Sequence, residues 1–378
     1  MTSSWHGPDE NEEGSIGSSA ISTPRGSRLI ASVCSCVALF AVFRGVAQFD
    51  LPVTRYVRSV TIHLPWDQLT IPWMAFTSNA GDWIGEGMNL VVVSVVLLVA
   101  GWIFARPNIL KAGFDSAVAH GLAALFSNGF KHLLGRPRPK FVHSGEWEFA
   151  PSMESGLDSF PSGHTSATFA VATVFVKRFP ILAPLWLGLA SFVGLSRVLR
   201  GAHFPTDIFG GAVMGVLCGS IAAAPWHAWR SSLEEGLRHA AIGSTIVFGL
   251  LSTLARPAET GLAGFALVAL GACAVAAGLW LRRHVWLGTG RPDRLNGWHV
   301  KMSRILIAYG LACMTTEPLV MAAAGFVGLA YYLSGGNPGG SQTTYSRRRA
   351  LVQEAALACG IIGASFILFG SRAVLPFQ

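Results

Sequence analysis

Apolar runs of roughly 20 residues recur along this chain from residue 29 to residue 371, each close to the length a helix needs to cross a bilayer. Inside the hydrocarbon layer a backbone amide finds no water, so a span of this kind must satisfy its own hydrogen bonds as a helix. The runs predict spans at about 29–47, 88–105, 110–130, 164–179, 181–200, 206–225, 240–256, 260–281, 304–333 and 351–371. Composition agrees. Hydrophobic residues make up 51% of the chain and charged ones 13%, against about 25% charged in soluble domains. The expected fold class is all-α, a polytopic membrane helical bundle with a six-helix core and about four extra C-terminal transmembrane helices.

Three regions follow from this reading. Residues 1–28 are rich in Ser, Gly, Asp and Glu without an apolar period, which predicts a disordered cytoplasmic tail. That tail is too long and acidic for a signal peptide, so the first span is expected to persist as an anchor. Residues 29–225 form the functional six-span core, and 240–378 a membrane extension without a comparable polar cluster. Between the first two spans, residues 49–87 mix Trp66, Trp73 and Trp83 with Pro52, Pro65 and Pro72, which predicts an interfacial segment with aromatic anchors.

The net charge of +8 does not point to nucleic acid, because the basic residues sit in short loops between apolar runs. It points to topology. With the N-terminus inside, Arg106, Lys111, Lys177, Arg178 and the group from Arg282 to Arg304 fall on the cytoplasmic side. Arg347, Arg348 and Arg349 would then lie outside unless Glu317-Pro318 breaks 304–333 into a short hairpin. Cys34, Cys36, Cys218, Cys273, Cys313 and Cys359 all lie in apolar segments and read as small packing residues.

Three short stretches carry the chemistry: Lys131-x6-Arg138-Pro139, Pro161-Ser162-Gly163-His164, and Ser196-Arg197-x5-His203-x3-Asp207. A phosphate ester is a dianion, so its site needs fixed cations or amide donors, a nucleophile and an acid for the leaving oxygen. Lys131 ends the third span and Pro137 and Pro139 stiffen the loop around Arg138, so both cations can converge on one phosphate. The competing reading is a juxtamembrane cluster touching lipid headgroups, which suits Arg136 and Lys140 as well. Ser162 and Gly163 precede the fourth span at a helix N-terminus, where open N–H groups favour an anion. His164 follows in the first turn, as a proton donor to the leaving oxygen or as an interface-seeking histidine. His203 lies four residues before Asp207, close enough for the carboxylate to reach one imidazole nitrogen and leave the other unprotonated as a nucleophile.

Together and in this order, the three stretches resemble the signature of the type-2 phosphatidic acid phosphatase superfamily over roughly residues 30–225. The resemblance implies a six-helix fold, metal-independent hydrolysis and a phosphohistidine intermediate. It implies that His203 is the nucleophile, Asp207 its orienter and His164 the general acid. Lys131, Arg138, Ser162, Gly163 and Arg197 would hold the phosphate oxygens. The four later spans depart from the usual six-span pattern.

The expected function is therefore an integral-membrane lipid phosphatase of the cell inner (plasma) membrane with its site facing the periplasm or exterior. Its partners are a phosphorylated lipid and the bilayer, with no cofactor, no metal and no nucleic acid. Undecaprenyl pyrophosphate, phosphatidylglycerol phosphate, phosphatidic acid and lipid A all fit. Two other readings remain: a lipid-to-lipid phosphotransferase, and a transporter or flippase, motivated by the extra spans and by Asp115 and Glu317 within apolar runs. Asp115 and His120 otherwise read as structural, and His132, His143, Glu146 and Glu148 as loop residues facing solvent. Gly211, Gly215 and Gly219 place small residues on one face of the sixth span, either for close helix approach or without a specific purpose.

Overall fold

The structure, a computed structural model, describes residues 25–61, 72–142, 150–255, 262–286, 298–314 and 327. The expected features at 1–24, the Trp66 and Pro65 part of the interfacial segment, His143, Glu146, Glu148, Glu317-Pro318, the 347–349 arginines, Cys359 and the last span lie outside these residues. Among the described residues every regular element is helical. The helices are α1 (Arg25–Ala47), α2 (Asp50–Thr61), α3 (Pro72–Gly85), α4 (Gly87–Ile103), α5 (Pro107–Leu134), α6 (Gly163–Arg178), α7 (Ala183–Leu199), α8 (Pro205–Ala222), α9 (Trp229–Ala255), α10 (Leu262–Trp286) and α11 (Trp298–Met314).

The centre of the bundle is α6, packed against α5, α7 and α8. Ala119 and Ala123 of α5, Ala170, Val171, Val174 and Phe175 of α6, and Cys218 of α8 form one buried cluster. The three glycines of α8 face α6, where an added Cβ would lie 2.8 Å from the Ser162 carbonyl oxygen at Gly211, 2.5 Å from that of Ser166 at Gly215 and 2.4 Å from that of Ala170 at Gly219. Only residues without a Cβ allow the two backbones this approach. Outside the core, α4 lies on α5, α3 on α7, and α1 and α9 on α8. Along α4 the polarity is inverted relative to a soluble helix. Ser94 and Gly101 are buried against the protein, while Met88, Val91, Val92, Val95, Val96, Val99 and Trp102 are exposed, as a face against lipid requires.

Four stretches among the described residues are long and apolar enough to cross a membrane: Arg28–Ser59, Pro107–Phe141, Pro180–Leu199 and Pro205–Ala222. The pair Met74–Gly85 and Gly87–Ile103, bent by 53°, makes a fifth if taken as one broken span. The expected span at 164–179 is α6, a 16-residue helix shorter than those four; protein surrounds it, and Thr165, Ser166, Thr168 and Thr173 are buried along it. Those hydroxyls bond back into the helix, Thr168 Oγ1 to the His164 carbonyl at 2.8 Å and Thr173 Oγ1 to that of Phe169 at 2.7 Å. The part of 49–87 that is described is not merely interfacial: α2 and α3 are helices that each bring a carboxylate into the core of the site.

Candidate active site

The C-termini of α5 and α7 and the N-termini of α6 and α8 meet at one end of the bundle. At the end of α5, Gly135 takes φ 55°, and a Cβ there would fall 1.7 Å from the Ala150 carbonyl oxygen, so only glycine can make this turn. The turn keeps Lys131 at the helix end and sends Arg136 inward and Arg138 around the rim. At the end of α7, Gly201 adopts φ 64° with its N–H on the Val198 carbonyl (2.9 Å) and the Ala202 N–H on the Arg197 carbonyl (3.1 Å). These two bonds form a Schellman motif, which reverses the chain and returns His203 beside Arg197. Pro205 then opens α8 and Asp207, in its first turn, reaches back to accept the Phe204 N–H at 2.8 Å.

Lys131 and Arg138 converge as expected, and their meeting point is Asp158. Arg138 donates to both of its oxygens, from Nε at 2.8 Å and from one terminal nitrogen at 2.6 Å, and Lys131 Nζ stands 3.8 Å away. Partial burial pushes the Asp158 carboxyl up, but the Arg138 hydrogen bonds and charge, with Lys131 behind them, hold it at about 2. Across the site, Asp82 of α3 pairs with Arg197, with Arg200 at 2.9 Å, and with His164 Nε2 at 3.5 Å. Gly85 walls in the same imidazole, a Cβ there lying 3.2 Å from His164 Cδ2.

Between these groups sits the start of α6. Its first helical bond runs from the Ser166 N–H to the Ser162 carbonyl at 2.9 Å, leaving the amides of the first turn as the open donors of that end. Lys131 Nζ lies 3.6 Å from where a Gly163 Cβ would be. The Ser162 N–H is taken by the Asp207 carbonyl at 3.0 Å, so the open backbone donors begin at Gly163; its buried hydroxyl accepts from Thr165 Oγ1 at 3.0 Å and keeps its own proton to donate.

His203 is buried at 4% exposure. Its Nδ1 lies 2.8 Å from the Ser159 carbonyl oxygen and 3.7 Å from Asp207 Oδ2. A carbonyl only accepts, so Nδ1 carries the proton and Nε2 presents a lone pair. Asp207, expected to reach one imidazole nitrogen, holds Oδ2 on that side of the ring, with the Ser159 carbonyl closer to Nδ1. Its oxygens are engaged by Arg136 (2.6 Å), Ser159 Oγ (2.5 Å) and the Phe204 N–H, so it acts on the ring through charge while the Ser159 carbonyl makes the closer contact. Burial pushes the imidazole below its usual range, against the pull of Asp207, and the ring is neutral near pH 7.

Arg136, expected at the headgroups, is 3% exposed and lies at the base of the site between Asp50 and Asp207. The burial of two carboxylates is the physical reason, since neither could stay there without a cation. Asp50, Asp82, Asp158 and Ser159 belong to no sequence pattern read above. Asp158, four residues before Ser162, carried the one available signal, as the acidic residue nearest the Pro161-Ser162-Gly163-His164 stretch. Elsewhere, Asp115 pairs with Arg178 at the opposite end of α5 and α6, so it is not an isolated charge; Glu317, the other residue behind the transporter reading, lies outside the described residues. His132 Nδ1 contacts the Ser152 carbonyl at 3.1 Å rather than solvent alone.

A family model described as the PAP2 superfamily matches residues 112–231. A lipid A 1-phosphatase of Rhizobium johnstonii is 31% identical over 192 residues, covering 48% of this chain and 75% of its own. A phosphatidylglycerophosphatase B of Bacillus subtilis is 30% identical, covering 39% of this chain and 72% of its own. A decaprenylphosphoryl-5-phosphoribose phosphatase of Mycobacterium tuberculosis is 32% identical, covering 31% and 60%.

Proposed function

The chain belongs to the PAP2 superfamily, and from that premise we propose that it is an integral-membrane lipid phosphatase acting through a phosphohistidine on His203. The observation that carries this is the fixed Nδ1–H of a buried, neutral His203, whose bond to the Ser159 carbonyl leaves Nε2 as the free nucleophilic atom among the cations of three loops. His203 Nε2 attacks phosphorus in line. Burial and the Arg197 charge hold His164 at about 4 before substrate binds, so it takes up its proton beside the bound phosphate; as the P–N bond forms, the P–O bond to the lipid breaks, and His164 gives that proton to the departing oxygen. His164 then takes a proton from water, whose oxygen attacks phosphorus, releases orthophosphate and returns His203 to its neutral state.

Lys131, Arg138, Arg197 and the Gly163 amide hold the phosphoryl oxygens. The dianion exchanges places with the Asp158 and Asp82 carboxylates as their counter-charge, and cations in these positions supply the charge neutralisation without a metal. The site faces the periplasm or exterior, because Arg106, Lys111, Lys177 and Arg178 gather at the other end of the bundle. The substrates of the relatives support a phosphomonoester or diphosphate on a long-chain lipid as the substrate class. Undecaprenyl diphosphate, phosphatidylglycerol phosphate, phosphatidic acid and lipid A are the panel to test.

Phosphate release by the purified chain in detergent with EDTA tests the proposal. The expected result is turnover of at least one lipid and a loss of more than about a thousandfold in His203→Ala. Release that survives in His203→Ala, or that stops with EDTA and returns with a divalent ion, overturns it.

A further inference from the structure

Arg136, Asp50, Thr206 and Asp207 form a buried polar network beneath His203. One terminal nitrogen of Arg136 donates to Asp207 Oδ1 and to Thr206 Oγ1, both at 2.6 Å, and the other to Asp50 Oδ2 at 2.8 Å. Asp50 Oδ1 accepts the Thr206 N–H at 3.0 Å and its Oδ2 accepts the Thr206 hydroxyl at 2.5 Å. Asp50, Thr206 and Asp207 are at most 2% exposed. The guanidinium also lies 4.5 Å from the Phe204 ring centroid, so the residues on both sides of Pro205 hold it. Asp50 is the first residue of α2, outside the 112–231 segment that the family model matches.

With both carboxylates ionised, the charges in this network add to one negative: two carboxylates against one guanidinium, beside a neutral imidazole. When His203 Nε2 bonds to phosphorus the ring becomes cationic, and the buried set becomes neutral. Without the Asp50 charge, Arg136 would instead cancel Asp207, and the new cation would face an already neutral pair in a site that excludes water. We propose that Asp50 is a positioning residue for the reaction, which engages Arg136, fixes Asp207 against His203 and keeps the Asp207 charge available to the cationic ring. The proposal rests on the phosphohistidine reading above. It ties the N-terminal helices to catalysis rather than to anchoring alone.

The test is steady-state phosphate release from the best lipid of the panel, with thermal midpoints in detergent measured alongside. Asp50→Asn keeps the size of the side chain and the bond from the Thr206 N–H. The expected result is a kcat lower by about ten- to hundredfold, the scale on which partners one layer out act at reactive centres, with KM within about twofold. Asp50→Glu, which keeps the charge, recovers part of the loss. Asp50→Asn combined with Arg136→Met is no slower than Arg136→Met alone, because the two residues act on Asp207 as one unit.

A folded Asp50→Asn with wild-type kcat overturns the proposal. So does a loss confined to KM. Equal inactivity of Asp50→Asn and Asp50→Glu with equal falls in thermal midpoint also overturns it, since that pattern belongs to a purely structural ion pair. A wild-type chain that turns over no lipid refutes the parent reading instead, and is told apart by the inactive wild type itself.

Discussion

At the scale of single residues, the site is a set of cations and carboxylates whose pairing decides what His203 can do. Its Nδ1–H points to the Ser159 carbonyl, and burial disfavours the protonated ring. A histidine whose folded-state pKa is lowered stays neutral at pH values where a free imidazole would charge. The proposed nucleophile is therefore present at neutral pH and lost only as the pH falls below the ordinary histidine value of about 6.5. The charged groups facing it are Asp207, which favours the cation, and Arg138 and Arg197, which oppose it. The expected outcome is an acid limb in kcat/KM below pH 6.5 for a diphosphate lipid, and a limb at or above that value would contradict the placement of the ring. The motif residues could be read from sequence because each stands at a helix end at fixed spacing from a turn-forming Gly or Pro. Asp50 and Asp82 could not be, because a single carboxylate has no pattern and their partners lie 156 and 115 residues away.

At the scale of elements, the site depends on how closely α8 can approach α6. The glycines at 211, 215 and 219 were readable as a small-residue face, but which helix they meet depends on the three-dimensional packing. Gly215→Ala would set a Cβ 2.5 Å from the Ser166 carbonyl oxygen and 2.6 Å from the Phe169 Cβ, neither of which can retreat without moving α6. We expect a destabilisation of about 1–3 kcal/mol, seen as a lower thermal midpoint in detergent. Gly188→Ala on α7, where a Cβ meets nothing within 4 Å, is the control and should be neutral or slightly stabilising. Equal behaviour of the two variants would contradict close packing of α6 and α8. The span at 164–179 was readable from its apolar content, but its enclosure by α5, α7 and α8 was not. Periodicity and apolar content cannot distinguish a helix enclosed by other helices from one that meets lipid.

At the scale of the whole molecule, the two ends of the bundle differ in chemistry. One end gathers Lys131, Arg138, His164, Arg197 and His203, and the other holds the Arg178–Asp115 and Lys177–Glu235 pairs. In the proposed reading, a bilayer around this bundle presents a lipid headgroup at the level of the helix ends, where the cations stand, and the phosphate reaches His203 without leaving the interface. The membrane class and the order of the core helices were readable from run lengths alone, because hydrocarbon imposes one solution on the backbone. The contribution of α2 and α3 was not, because short helices mixing Trp and Pro look the same whether they rest on the headgroups or enter the core. The account stands on a covalent phosphohistidine, and the most direct measurement is an alkaline rapid quench of the purified chain mixed with substrate labelled in its phosphate, followed by peptide mapping. The account predicts label on the peptide that bears His203, more of it in His164→Ala and none in His203→Ala. Turnover without label on that peptide, or label on another residue, would contradict it.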